Sequence, residues 1–335
     1  MKISCWAEHW PFRQPFRISG HAFDGLDVVV VAAESEGLRG LGEAAGVYYR
    51  RETAAGMVEQ ITRIAAEGRS IDRQTLPWIM RPGGACNAVD CALWDLDAKR
   101  SSQPAWKIAG LTEVRPLLTT FTLGAEAPGA MAAAAVALTE ARAIKLKLLG
   151  DGGDSERVEA VRAARPDVWL GVDANQGLTP ASYDELLPAL VQARVALLEQ
   201  PFPVDRDRYL DGLGAPLPIA ADESVQDRSD LERMHGRCQV INIKLDKCGG
   251  LTQALALAAE ARRMGFKLMV GNMVGTSLAI APAYVLGQMC ELVDLDGPIF
   301  LSRDRTPGVA YRDGFISCPP DVWGWPPQAP GFTAS

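Results

Sequence analysis

Three carboxylates close three short apolar runs of this 335-residue sequence: Asp173 in WLGVDAN, Glu199 in VALLEQP and Asp222 in PIAADES. Two more runs place lysines among apolar neighbours, Lys145 and Lys147 in AIKLKLL and Lys244 in VINIKLDK. Side chains alternate along a strand, so residues two apart share a face. With Ile144, Leu146 and Leu148 packed outward, Lys145 and Lys147 turn inward. The same alternation sets Ile241, Ile243 and Leu245 against Asn242, Lys244 and Asp246, and points Lys247 away from the lysine face. Ammonium groups are costly to bury unpaired, so the inward lysines need the carboxylates. A single strand-end carboxylate is more often a helix cap or a surface ion pair. Three on consecutive strands, flanked by inward lysines, converge on one hard cation, and Mg2+ suits single-oxygen carboxylate ligands completed by water and substrate oxygens. Asn175, Glu223 and Asp246 are expected to support this set from behind.

These residues meet only if the runs that bear them are neighbouring strands. From about residue 116, short apolar segments alternate with helical ones: Leu117–Leu123, Ile144–Leu149, Trp169–Asp173, Val195–Glu199, Ile219–Asp222, Val240–Lys244, Lys267–Gly271 and Leu292–Asp296. Eight strands with crossover helices predict an α/β fold of the (β/α)-barrel type, the TIM barrel, over residues 116–299, with active-site residues at the C-terminal strand ends. Residues 1–115 read differently. Strands Lys2–His9 and Asp27–Glu34, with a hairpin signal at Glu36-Gly37, precede helical stretches at about 52–66, 72–80 and 84–109, a small α+β domain. The Gly/Pro-rich segment 300–335 is expected to return to that domain, and its WGWPPQAPGF end reads as a loop.

In an eight-stranded barrel, the second and sixth strands oppose each other, which sets Lys147 across the lumen from Lys244. A metal bound to a substrate carboxylate stabilises the charge that builds when the adjacent carbon loses its proton. One lysine takes that proton and the other returns one from the opposite side, and the outcome is inversion at carbon. Lys145, a second positive charge close by, is expected to lower the pKa of Lys147. Lysines that merely neutralise the carboxylates are the plainer reading, but one lysine would serve that purpose.

Bulk properties exclude other classes. Net charge is −7, with no Lys/Arg stripe, so nucleic acid and anionic membrane surfaces are not expected partners. The start MKISCWAEHW lacks a signal-peptide pattern, and Ala130–Leu138 is too short to span a bilayer. Seven cysteines without zinc or redox spacing read as reduced thiols of a cytoplasmic protein. The glycines of GLRGLGE fit a hairpin better than a phosphate loop, and Gly249-Gly250 a tight turn better than an anion site.

Taken together, these motifs resemble the enolase superfamily, whose members use a lysine or histidine base with magnesium. The K-x-K of Lys145-Leu146-Lys147 is that of the muconate-lactonizing subgroup, whose metal ligands match Asp173, Glu199 and Asp222 and whose second lysine matches Lys244, five before Gly249. NAVDCALWDLDAKR looks like the helix of the capping domain, so the fold implied is a modified (β/α)7β barrel under an N-terminal α+β cap. INIKLDKCGGLT and DLDGP are similar to segments of dipeptide epimerases, above all those acting on L-Ala-D/L-Glu. The resemblance implies that Asp294 and Asp296 hold the free α-ammonium of a dipeptide. It also implies that the α-carbon of the C-terminal residue is inverted, that the pathway is murein-peptide recycling, and that the chain forms a homo-oligomer. Relatives that take a C-terminal glutamate often carry an arginine after the first strand, where this sequence reads Ser19-Gly20-His21-Ala22-Phe23-Asp24. His21, Arg50 or Arg51 could replace it, or Phe23 could signal an uncharged second residue. Dehydratases and mandelate-type racemases with a His–Asp base are excluded, because the only histidines are His9, His21 and His235. Cycloisomerase and o-succinylbenzoate synthase chemistry use the same lysines and metal and remain open, although Asp294 and Asp296 argue against them. A binding protein that had lost its chemistry would be expected to lack a lysine or a ligand, and all five are present.

Overall fold

The computed structural model describes residues 1–18, 21–68 and 70–326, apart from the side chains of Ile18 and His21. Much of WGWPPQAPGF therefore lies outside the described residues. Strands β1 (Lys2–Ile18), β2 (His21–Ser35) and β3 (Leu38–Ala44) form an antiparallel sheet in that order. The turn between β2 and β3 is the expected one, with Glu36 and Gly37 both at positive φ, the form that matches strand twist. β1 and β2 run well beyond the expected His9 and Asp27. Pro11 and Pro15 are tolerated because β1 is an edge strand, where a missing N–H that faces away from β2 costs no ladder bond. A register shift between Pro11 and Phe16 absorbs the irregularity.

The helix Gly84–Ser101 lies on this sheet, and only Gly37 of GLRGLGE serves the turn. A Cβ on Gly40 would stand 2.2 Å from Ala92 O, and one on Gly42 2.2 Å from Ala88 O, so these two glycines admit the helix backbone against β3. The helix does not continue to residue 109: Ser102 adopts a left-handed conformation and Pro104 begins a separate turn, Ala105–Ile108. The 72–80 stretch holds only a short helix, Leu76–Ile79, because Asp72 takes the Gln74 and Thr75 amides into a turn instead.

The expected first barrel strand divides. β4 (Leu117–Leu118) pairs with the tail, and β5 (Phe121–Leu123) opens the barrel, followed by β6 (Ala143–Lys147), β7 (Trp169–Asp173), β8 (Leu197–Glu199), β9 (Ile219–Ala221), β10 (Val240–Ile243), β11 (Lys267–Val270) and β12 (Leu292–Val293). All eight are parallel neighbours in chain order. Thr120 N–H to Val293 O, 2.9 Å, joins the two ends into a modified TIM barrel. Helices connect most strands, and a 3-10 segment, Val204–Leu210, replaces the helix after β8.

Leu197, Ala220, Val240 and Met269 form a small apolar plug. Two residues further along three of those strands come Glu199, Asp222 and Asn242, so one alternation supplies the plug and the polar residues beyond it. In the tail, β13 (Ala310–Arg312) and β14 (Phe315–Ser317) pair, and β14 pairs with β4. Trp323 then donates to Leu41 O, and Gly324 N–H to Asp95. No helix among the described residues is long and apolar enough to cross a membrane, and all seven cysteines are free.

Candidate active site

The strand register places the acidic side chains side by side. Lys147 is the partner of Asp173 across β6 and β7, and Asp173 is the partner of Glu199 across β7 and β8. Asp173, Glu199 and Asp222 are all buried. Each is matched to a lysine: Lys147 Nζ lies 2.5 Å from Asp173, Lys145 Nζ 3.3 Å from Glu199, and Lys244 Nζ 2.7 Å from Asp222. Asn242 donates to Glu199 at 2.6 Å, and the Asn175 amide to Asp173 at 2.8 Å. The Asn175 side chain donates to Glu223. Lys145 also pairs with Asp294, which accepts from Thr120, while Asp296 accepts from Thr122 N–H at 2.6 Å.

Two expectations fail at one point. Lys247 is not turned away: its buried Nζ meets Asp222 Oδ1 at 2.7 Å, Asp222 O at 2.6 Å and Asn242 O at 2.9 Å. Asp246 does not stand behind the carboxylates but accepts from Gly46 N–H at 3.2 Å, on the N-terminal sheet's side. The cause is the helical turn Leu245–Cys248, which begins directly after Lys244. Strand alternation ends there, and residues three apart, Lys244 and Lys247, come to the same side. Gly249 and Gly250, both at positive φ, signal the end of such a turn and could have revealed it.

The charges are crowded. Burial and the neighbouring Asp173 push the Glu199 carboxyl up to about 7, and burial with Asp222 pushes Glu223 up to about 8. Burial and Asp294 raise Asp296 to about 6. Burial opposes the charge of Asp222 too, yet Lys244 and Lys247 hold it well below the ordinary range. Lys145 is kept charged against its burial by Asp294 and Glu199. Among the described residues no three acidic, histidine or cysteine groups form a ready metal cluster, since the carboxylates turn to lysines. The donor set still fits a hard divalent cation: three buried carboxylates, with Glu223 Oε2 and Asn175 Oδ1 buried and unpartnered beside them.

Above this floor lies a cavity whose lining includes Lys147, Lys244 and Asn175 below, Phe12, Phe16, Phe23, Leu26 and Tyr48 from the N-terminal side, and Asn272, Met273 and Val274 from the loop after β11. Phe23 meets Tyr48 edge to face, with ring centres 5.5 Å apart. The His21 side chain lies outside the described residues. Arg50 reaches Lys247 O at 3.4 Å and Arg51 is exposed at a left-handed position; neither lines the cavity. Tyr48, Met273 and Val274 carry no sequence signal, because loop and turn residues lack periodicity.

The loop after β11 is tied down from afar. Asn272 donates to Asp294 O and accepts from Val274 N–H, which holds Val274 at φ 59°, a costly conformation for a β-branched residue. Thr276 N–H and Oγ1 donate to Glu43 on β3 at 2.8 and 2.5 Å. Arg305, from the tail, bonds Glu43 at 2.6 Å, Glu8 at 2.7 Å and Thr276 at 2.7 Å.

A capped barrel with carboxylates and opposed lysines at its C-terminal strand ends defines a class of enzyme that handles protons beside a carboxylate. Residues 1–110 match the mandelate racemase / muconate lactonizing enzyme N-terminal domain, and residues 129–333 match the enolase C-terminal domain-like family. The chain belongs to the enolase superfamily. It is 40% identical to the L-Ala-D/L-Glu epimerase of Escherichia coli over 93% of this chain and 98% of that one. It is 39% identical to the N-acetyl-D-glutamate racemase of a Pseudoalteromonas species, over 87% and 92%. Among solved structures it is similar to an Agrobacterium tumefaciens enolase family member with homology to dipeptide epimerases, bound to sodium and L-Ala-L-Glu (TM-score 0.92, 38% identity, 96% of this chain and 99% of that one). It also resembles an Enterococcus faecalis dipeptide epimerase complexed with Mg and L-Leu-L-Tyr (TM-score 0.86, 28% identity, 95% and 99%).

Proposed function

We propose that the protein is a dipeptide epimerase that inverts the α-carbon of the C-terminal residue by a two-lysine proton transfer. The observation that carries this reading is the entry of Lys147 and Lys244 into one cavity from separate strands, each held by its own carboxylate. Lys147 takes or returns the α-proton on one face of the substrate, and Lys244 does so on the other. Asp173, Glu199 and Asp222 would hold a magnesium ion, whose positive charge stabilises the substrate carboxylate as the adjacent carbon is deprotonated. Asp294 and Asp296 bind the α-ammonium of the dipeptide, displacing Lys145 from Asp294 and leaving it a local positive charge close to Glu199. Asn175 and Glu223 steady the ligand set from its edge. We place the enzyme in the cytoplasm, consistent with seven free thiols.

Incubating L-X-L-Y dipeptides in D2O with and without magnesium tests this reading, with deuterium read by mass spectrometry. Metal-dependent uptake at the second α-carbon of some dipeptides is expected, and L-Ala-L-Glu is the reference substrate given the relatives' names. No uptake by any dipeptide would transfer the assignment to cycloisomerase or o-succinylbenzoate synthase chemistry on the same lysines.

A further inference from the structure

Resting on the epimerase reading, we propose that the residue inverted carries an uncharged, apolar side chain, aliphatic or aromatic, in place of a carboxylate. Lys147 and Lys244 touch the α-carbon, so the side chain on that carbon must extend from them into the rest of the same cavity. What it meets there among the described residues is mainly apolar: Phe23 set edge-on against Tyr48, Phe16 packed on Phe300 with ring centres 4.6 Å apart, Met273 and Val274; the Asn272 amide in the same lining is already bonded to Asp294 O and Val274 N–H. Phe16, Phe23, Tyr48, Met273 and Val274 are each only partly buried, so apolar surface stays open towards the space the side chain would fill.

Among the described residues, the cations that could answer a side-chain carboxylate are engaged elsewhere or stand outside the cavity. The two lysines of the lining are held by Asp173 and Asp222, and either would leave the reacting carbon if it turned to grip a second carboxylate. Arg50 is turned to Lys247 O, Arg51 is exposed, Arg17 pairs with Glu126 at 3.3 Å, and Arg13 donates to Leu301 O. No guanidinium lines the cavity among the described residues. A glutamate side chain would therefore lose its water among aromatic rings without gaining a partner, whereas leucine or phenylalanine would exchange water for ring contact.

The test compares kcat/KM for L-Ala-L-Leu, L-Ala-L-Phe and L-Ala-L-Glu in the magnesium-loaded wild-type protein, together with a Phe23→Arg variant. The better of the two apolar dipeptides is expected to exceed L-Ala-L-Glu by at least about tenfold. Phe23→Arg should raise the value for L-Ala-L-Glu and lower that for L-Ala-L-Leu. A wild-type value for L-Ala-L-Glu equal to or above both apolar substrates overturns this inference and leaves the epimerase reading standing. Absence of exchange in all three, and in the wider dipeptide set, sinks that reading and this one with it. The wild-type comparison decides the matter even if the variant fails to fold.

Discussion

The strand-end floor of the cavity and its N-terminal wall contrast in nearly every physical respect. On the floor, Asp173, Glu199, Asp222, Lys147 and Lys244 are buried, sit on or directly after parallel strands, and are held by charge-assisted hydrogen bonds of 2.5–3.3 Å. On the wall, Phe23 and Tyr48 are half-buried, come from the start of β2 and a 3-10 turn, and meet through ring edges. The floor fixes atoms tightly at the expense of crowding like charges. The wall fixes little, but its shape and polarity decide what fits. Changes on the floor should therefore decide whether any substrate reacts, and changes on the wall which one does.

The largest break in that division would come from the lysines. Lys147→Ala and Lys244→Ala should each slow epimerisation roughly a thousandfold, each retaining α-proton exchange for a different stereoisomer. Two variants that both epimerise at the wild-type rate would remove the two-base assignment. Next comes the charge crowding itself. Glu199, Glu223 and Asp296 have carboxyls raised to about 7, 8 and 6, so the folded chain binds protons that the unfolded chain has already released. Their stabilising contribution is fully present below their ordinary values and is lost as pH rises through 6–8. Asp222, held low, titrates beneath that window. The chelated protein should thus melt several degrees higher at pH 5.5 than at pH 8, and magnesium should flatten the difference; a melting temperature independent of pH in chelator would contradict the crowding.

A smaller effect sharpens the contrast from the other side. Glu43→Gln loosens the Met273-Val274 edge without touching a lysine, so KM should rise roughly tenfold while kcat stays within about threefold. An equal fall in kcat would mean that this carboxylate serves the floor as well. The smallest effect belongs to Arg51. Arg51→Gly relieves a left-handed residue outside the cavity, and kcat/KM for every dipeptide should stay within about twofold.

The floor was legible in the sequence and the wall was not, for a physical reason. Trp169–Asp173 is a strand over the very residues expected, because a buried parallel strand ending in a carboxylate is a strong local pattern. The pattern misleads where its period changes: past Lys244 the chain turns by about 100° per residue instead of 180°, and Lys247 and Asp246 exchange sides. The wall rests on contacts between distant segments. Thr276 is held by Glu43, 233 residues away, and Glu43 by Arg305, 262 away, with no repeat in the sequence to announce either. Phe23 could be singled out in advance only because the family resemblance drew attention to its loop.

Arg305 makes the cap and the barrel one mechanical piece. Its guanidinium is shared by Glu8 on β1, Glu43 on β3 and Thr276 at the head of a barrel helix. Swinging the N-terminal sheet away from the barrel would strand Glu43, which is buried and already pushed towards its neutral form. Such a hinge is held shut by its own electrostatics. With cap and barrel tied in this way, the rim residues Phe23, Tyr48 and Met273, rather than a parting of the two layers, border the way into the cavity.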